Sequence, residues 1–250
     1  MVESAKICVF FRNLHTIDYA MRPLLLFLLF FSTPVFGQKE SHYLIFCDTL
    51  HCDFSKYMDS LSIYEERYAS NHKITSDDQN LKLAYYVALS HYPELKDACV
   101  KLKPKSLSST MQAQPRWDFL FRSKRNRNYK IFVNTDENNT GITYRDLSFN
   151  SLVGWIGHEM AHLTEYAQKD NVELLSFIAS YVMDNNELKR TEHKADKLTI
   201  QHGLGAQLLE GVNFFHRNRK VKHAYREKNR KYYLSAEEIV ADINQLCSKK

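Results

Sequence analysis

Leu152-Val153-Gly154-Trp155-Ile156-Gly157-His158-Glu159-Met160-Ala161-His162-Leu163-Thr164-Glu165-Tyr166 is the stretch around which the rest of the chain is read. Val153, Ile156, Met160 and Leu163 recur at three- and four-residue steps, which predicts a helix with an apolar stripe. On that helix His158 and His162 project from one face, because residues four apart lie one above the other. Two imidazoles so placed can both reach one Zn²⁺ at about 2.0–2.1 Å. Glu159 follows the first histidine and so points beside the ion, where a general base for a zinc-bound water would stand. The competing reading is a chance pair of histidines. A chain of this composition yields H-E-x-x-H about 0.03 times by chance, and that rarity favours the metal reading. One zinc per chain is expected.

A third protein ligand must come from further along, since a catalytic zinc site takes three and keeps one position open. Continuing the motif as x-x-G-x-x-H fails, because Glu165 and Gln168 occupy the required positions. Glu173, Glu187, His193 and His202 are available. Glu192 has the additional support of Asp196, a second carboxylate four residues on and on the same face. Such a pair can supply one ligand and orient a ligand histidine from behind. The small Ala195 beside it would let the two helices approach closely.

The motifs His158-Glu159-Met160-Ala161-His162 and Glu192-x-x-Ala195-Asp196 resemble those of the gluzincin metallopeptidases. The resemblance is to the prenyl-protease-like branch and its small soluble relatives, the minigluzincins, and it covers about residues 129–205. It implies an α+β zincin-like domain, mostly helical with a small antiparallel sheet beside the metal helix. It also implies a zinc-dependent peptidase acting on a peptide or protein substrate. His158, His162 and Glu192 would be ligands, Glu159 the base, and Asp196 the carboxylate behind them. The prenyl-protease-like enzymes have several transmembrane helices and the mature part of this chain has none, which points away from a prenylated or membrane-embedded substrate.

The chain has 250 residues, 44% hydrophobic and 25% charged, enough for a sizeable core. Met21-Arg22-Pro23 followed by Leu24–Phe31 and then Ser32–Gly37 reads as a secretory signal peptide cut near Gly37. Residues 1–37 are therefore expected to be removed, with Met21 a candidate true start, leaving 38–250 as a single domain. An exported location follows: periplasm, extracellular space or secretory lumen. The rival is an uncleaved N-terminal anchor. Cleavage takes three cations and two anions from a net charge of +5, leaving a mildly basic +4 that does not call for nucleic acid. Cys47, Cys52, Cys99 and Cys247 remain, and an even count after export suggests disulfides. Three connectivities are possible; in one, Cys47 with Cys52 closes a small loop and leaves Cys99 for Cys247.

From about 54 to 102 the apolar spacing is helical, which predicts a helical N-terminal part. Tyr129–Asn134 is the clearest strand, and Ser123–Asn128 reads as a hairpin loop between strands. An exposed sheet edge above the metal could pair with an extended peptide, with Tyr129–Asn134 as the candidate edge. Glu173–Met183 and Glu187–His202 read as two further helices. The basic run 216–231 is either a solvated helix face or a weak contact for an anionic surface. His223, Tyr225, Tyr232 and Tyr233 in or beside it are candidate oxyanion donors. Ser235-Ala236-Glu237-Glu238 is a capping box opening a last helix. Two rival functions remain: a catalytically silent, zinc-stabilised binding module, and a basic surface-binding protein. The first would bind zinc without turnover, and the second would bind in a strongly salt-dependent way unaffected by chelation.

Overall fold

A computed structural model of the chain describes residues 59–248. The expected leader, its cut near Gly37, and Cys47 and Cys52 lie outside the described residues. In chain order the elements are α1 (Leu61–Tyr68), β1 (His72–Ile74), α2 (Gln79–Ser90), β2 (Cys99–Lys105), β3 (Met111–Pro115), β4 (Asn128–Asn134) and the short α3 (Glu137–Thr140). There follow α4 (Phe149–Gln168), α5 (Asn171–Met183), α6 (Asn185–Thr199), α7 (Gly205–Arg217), α8 (His223–Tyr232) and α9 (Ala236–Ser248). The class is α+β, mostly helical, with one small four-stranded sheet of order β1-β2-β4-β3.

That sheet is mixed, which corrects the expected antiparallel one. β1 pairs with β2 and β2 with β4 in parallel, and β3 alone runs antiparallel, along β4. The cause is connectivity. Helix α2 carries the chain back between β1 and β2, and such a crossover yields parallel neighbours where a tight hairpin would yield antiparallel ones. Two strands thus interrupt the region 54–102 that was expected to be helical. The clearest strand, β4, is paired on both sides, so it is not the sheet edge; the edge on that side is β3. The hairpin loop is present as part of a longer connection. Trp117–Phe121 and Lys124–Asn126 form 3₁₀ turns between β3 and β4.

Helix α4 is the hub. Ser148 caps it, its hydroxyl oxygen accepting from the Ser151 amide at 3.1 Å. Every residue from Ser151 to Tyr166 is buried, so the helix is enclosed and not merely striped. It packs against α2, β3, α6 and α7. Small residues permit this. A Cβ added at Gly154 would stand 2.4 Å from the Gln207 main chain of α7, so the two helices meet backbone to backbone. Gly154→Ala is therefore expected to cost about 3 kcal/mol, as overpacking against rigid backbone does. The measurement is the urea midpoint, and an unchanged midpoint would contradict this packing.

Downstream, Asp170 and Glu173 form a capping box that starts α5, and Asp184 caps α6. Between α6 and α7 the chain turns through a π-type segment, Ile200–Leu204, where Gly203 takes φ +85°, a left-handed value that favours glycine. The Ser235–Glu238 box forms as expected, with the Ser235 amide donating to Glu238 at 2.8 Å and the Glu238 amide to Ser235 at 3.2 Å. The expected Cys99–Cys247 bridge does not form. Cys247, in α9, is disulfide-bonded, but its partner is not Cys99, which opens β2 in the sheet, whereas α9 packs on α6 and α7. No helix among the described residues is long and apolar enough to cross a membrane.

Candidate metal centre

His158 and His162 leave α4 on the face that meets α6, and Glu192 and Asp196 leave α6 toward them. All four, and Glu159, are buried. His158 Nε2 lies 2.9 Å from Glu192 Oε2 and 3.1 Å from His162 Nε2. His162 Nε2 lies 3.4 Å from the same carboxylate oxygen. Donors at about 2.0–2.1 Å around one tetrahedral ion stand roughly 3.3 Å apart, and these three separations straddle that value. Two imidazole nitrogens and a carboxylate oxygen facing one another in a buried space can hold a metal ion. It is the one such group of three or more among the described residues.

Support for the three is uneven. Asp196 Oδ1 sits 2.8 Å from His158 Nδ1 and so fixes the ring with Nε2 turned inward. Its Oδ2 accepts the Leu234 amide at 2.8 Å, which fixes the carboxylate in turn. His162 Nδ1 is buried without a protein partner; stacking on Tyr166, at 6.1 Å between centroids, orients this ring instead. Glu192 Oε1 accepts from the Tyr181 hydroxyl of α5, leaving Oε2 for the histidines. Burial and the charge of Glu192 push the Tyr181 hydroxyl well up, so it stays a donor.

The electrostatics follow from burial opposed by pairing. Burial alone would lower His158, but Asp196 and Glu192 on its two ring nitrogens outweigh this and hold it well above the ordinary histidine value. Burial would raise Glu192, yet the charge of His162 and the hydrogen bond from His158 hold it well below the usual carboxylate range. Glu159 differs. Burial raises it, and the neighbouring histidines only partly oppose the rise. It pairs with no residue of α6, and the Ala113 main chain of β3 lies on its carboxylate and favours its charge.

That contact follows from strand geometry. The Thr110 carbonyl and the Arg116 amide both bond to β4, at 2.9 and 2.8 Å. Residues alternate along an antiparallel ladder, so Met111, Ala113 and Pro115 turn their main-chain groups away from β4. Among the described residues no strand pairs that outer edge, and α4 lies beside it.

Of the four candidate oxyanion donors, Tyr233 stands at the site, its ring 5.4 Å from that of His158, and Tyr225 is close enough to Glu159 for the two groups to interact electrostatically. The other three have partners of their own. His223 is exposed, with Glu227 at 4.0 Å. The Tyr232 hydroxyl donates to Asn185 at 2.7 Å on the surface. Tyr225 is spent on the Thr110 amide and hydroxyl at 2.9 and 2.8 Å. Glu173 closes the α5 capping box, and His202 pairs with Glu94 at 2.8 Å. Glu187 pairs with Arg190, and His193 Nε2 is buried with no protein partner and lies outside the metal group. Sequence reasoning missed Tyr166, Tyr181 and Ala113. Tyr166 carried a signal, lying four residues beyond His162.

Asp196→Asn is expected to weaken metal binding about 10–100-fold, the usual cost of losing the partner that orients a ligand histidine. Competition with a chromophoric chelator measures it, and unchanged affinity would remove Asp196 from the site.

The basic run 216–231 is partly consumed internally. Arg226 donates to the Asn218 and Val221 carbonyls at 2.8 and 3.1 Å, and Lys220 pairs with Asp146 at 3.1 Å. In comparisons with known proteins, no family model, no curated protein and no solved structure matches this chain.

Proposed function

We propose that this chain is a zinc-dependent metallopeptidase of gluzincin type with a zincin-like fold, cutting peptide or protein substrates after export. The observation that carries this reading is the convergence of His158 Nε2, His162 Nε2 and Glu192 Oε2 beside Glu159, a buried carboxylate that contributes no atom to the metal group. Zn²⁺ held by those three residues would supply Lewis acidity, polarising a carbonyl and making a water acidic enough to attack it.

The remaining work falls to the chain's own residues. A Glu159 carboxylate oxygen takes the proton from the attacking water and passes it to the leaving amine nitrogen. The Ala113 main chain of β3 lies beside that carboxylate and helps to orient it. The outer edge of β3 pairs with the substrate main chain as an added strand, bringing the scissile carbonyl over the site. The Tyr233 hydroxyl donates to the developing oxyanion. Tyr181 holds Glu192 in place.

Incubation of the purified chain with a peptide library tests this. Cleavage that stops with chelator and returns with zinc is expected. Metal-loaded protein that cuts no peptide would overturn the reading in favour of the silent binding module.

A further inference from the structure

Between β3 and β4 the chain reads Arg116-Trp117-Asp118-Phe119-Leu120-Phe121-Arg122-Ser123-Lys124-Arg125-Asn126-Arg127. Phe119 turns inward, but Trp117 is 73% exposed and Phe121 83%. Asn171, at the start of α5, ties that helix to this turn by donating to the Leu120 and Arg122 carbonyls at 3.3 and 3.0 Å. Along α5 the exposed apolar residues Val172, Leu175, Ala179 and Val182 follow at steps of three and four, with Met183 beside the last. The opposite side of α5 is apolar as well. There Leu174 is buried, Phe177 packs on Tyr166 at 5.9 Å, and Tyr181 reaches Glu192. A helix that merely shields a core from water would be polar on its outer side. The exposed side of α5 instead carries an apolar stripe among Glu173, Ser176 and Ser180, and Asn171 joins the start of that helix to the turn that bears the two exposed aromatics.

Charge identifies the occupant. The turn holds five cations and one anion. Arg127 is buried, donating to the Tyr166 carbonyl and Asn171, and Asp118 is held between Arg116 at 3.4 Å and Arg122 at 2.7 Å. Lys124, which donates to the Gln168 carbonyl, and Arg125 stay exposed and no more than balance the exposed Asp170 and Glu173 that open α5, so the positive side of the patch is the turn. Exposed aromatics beside exposed cations match the headgroup layer of an anionic bilayer, where tryptophan rings settle and lysine and arginine meet phosphate. A second copy of this chain would bring the same cations face to face, which disfavours self-association here. The run 216–231 is basic but lacks the apolar half: its Val221 and Tyr225 are buried.

We propose that residues 116–127 and the outer stripe of α5 dock this protein peripherally on an anionic lipid surface. Val172, Leu175 and the two aromatics enter the headgroup layer, and Arg125 and Lys124 meet lipid phosphates. The metal centre lies on the other side of α5 and plays no part in this contact.

The test uses the full chain, with vesicles of phosphatidylcholine alone or mixed with phosphatidylserine, and needs no turnover. Trp117 is the reporter, because the second tryptophan, Trp155, is buried. Expected are co-flotation with phosphatidylserine vesicles, a blue-shifted tryptophan emission, and weakening by salt. Trp117→Ser with Phe121→Ser, both at exposed positions, should lower partitioning at least about tenfold while circular dichroism stays unchanged. Lys124→Gln with Arg125→Gln should lower it roughly 30-fold, at about fivefold for each cation near the surface. Absence of binding, equal binding to phosphatidylcholine alone, or binding indifferent to Trp117 and Phe121 would overturn the proposal. So would a dimer in sedimentation equilibrium that the Trp117 and Phe121 changes dissociate, since the patch would then belong to a second copy.

Discussion

Glu159→Gln is expected to lower kcat for peptide hydrolysis by about 10²–10⁴-fold, the range supplied by a positioned general base, with metal content and fold unchanged. The substitution keeps the shape of the side chain and its accepting oxygen toward the Ala113 main chain, so the buried surroundings lose little. What it removes is a site for the travelling proton. Because that group acts on the reacting atoms and not on substrate binding, kcat should fall while KM changes little. Glu159 is not one of the converging donor atoms, and for that reason metal should stay. Loss of metal would make it a ligand, and normal turnover would assign the base elsewhere.

Glu192→Ala is expected to cut metal affinity by more than the roughly 10–100-fold that loss of a supporting partner costs, because it deletes one of three converging donors. It also frees the Tyr181 hydroxyl and leaves two imidazole nitrogens 3.1 Å apart without the carboxylate that faces both. His193→Ala, one residue along the same helix, is the control. His193 lies outside the converging metal group, so affinity should hardly change. Mass spectrometry of the two variants under non-denaturing conditions reads both results. Zinc lost from His193→Ala and retained by Glu192→Ala would end the gluzincin reading.

Local signals carried the site and tertiary ones hid the rest. Helix α4 announces itself by its apolar spacing and two histidines on one face, and α6 by a carboxylate pair one turn apart. Each of these depends on residues within a few positions of one another. The direction of the strands does not. Whether β2 lies parallel to β1 depends on where α2 deposits the chain, and no residue of β2 encodes that. Val100 and Leu102 do alternate with Lys101, Lys103 and Lys105 in β2, a strand pattern that the helical spacing upstream overrode. β1 is three residues long and too short to show a period. Tyr181 and Ala113 reach the site from separate elements, and only packing brings them there. Tyr233 could not be told from Tyr225 or Tyr232 by position, because partners distant in sequence, Thr110 and Asn185, decide which hydroxyls are already engaged.

The most direct measurement is zinc content per chain by inductively coupled plasma mass spectrometry, after equilibration with zinc and exhaustive dialysis. A metal centre built by His158, His162 and Glu192 predicts one zinc per chain, lost when His158 and His162 are both replaced by alanine. A chain that keeps no zinc, or a double variant that keeps the full equivalent, would contradict it.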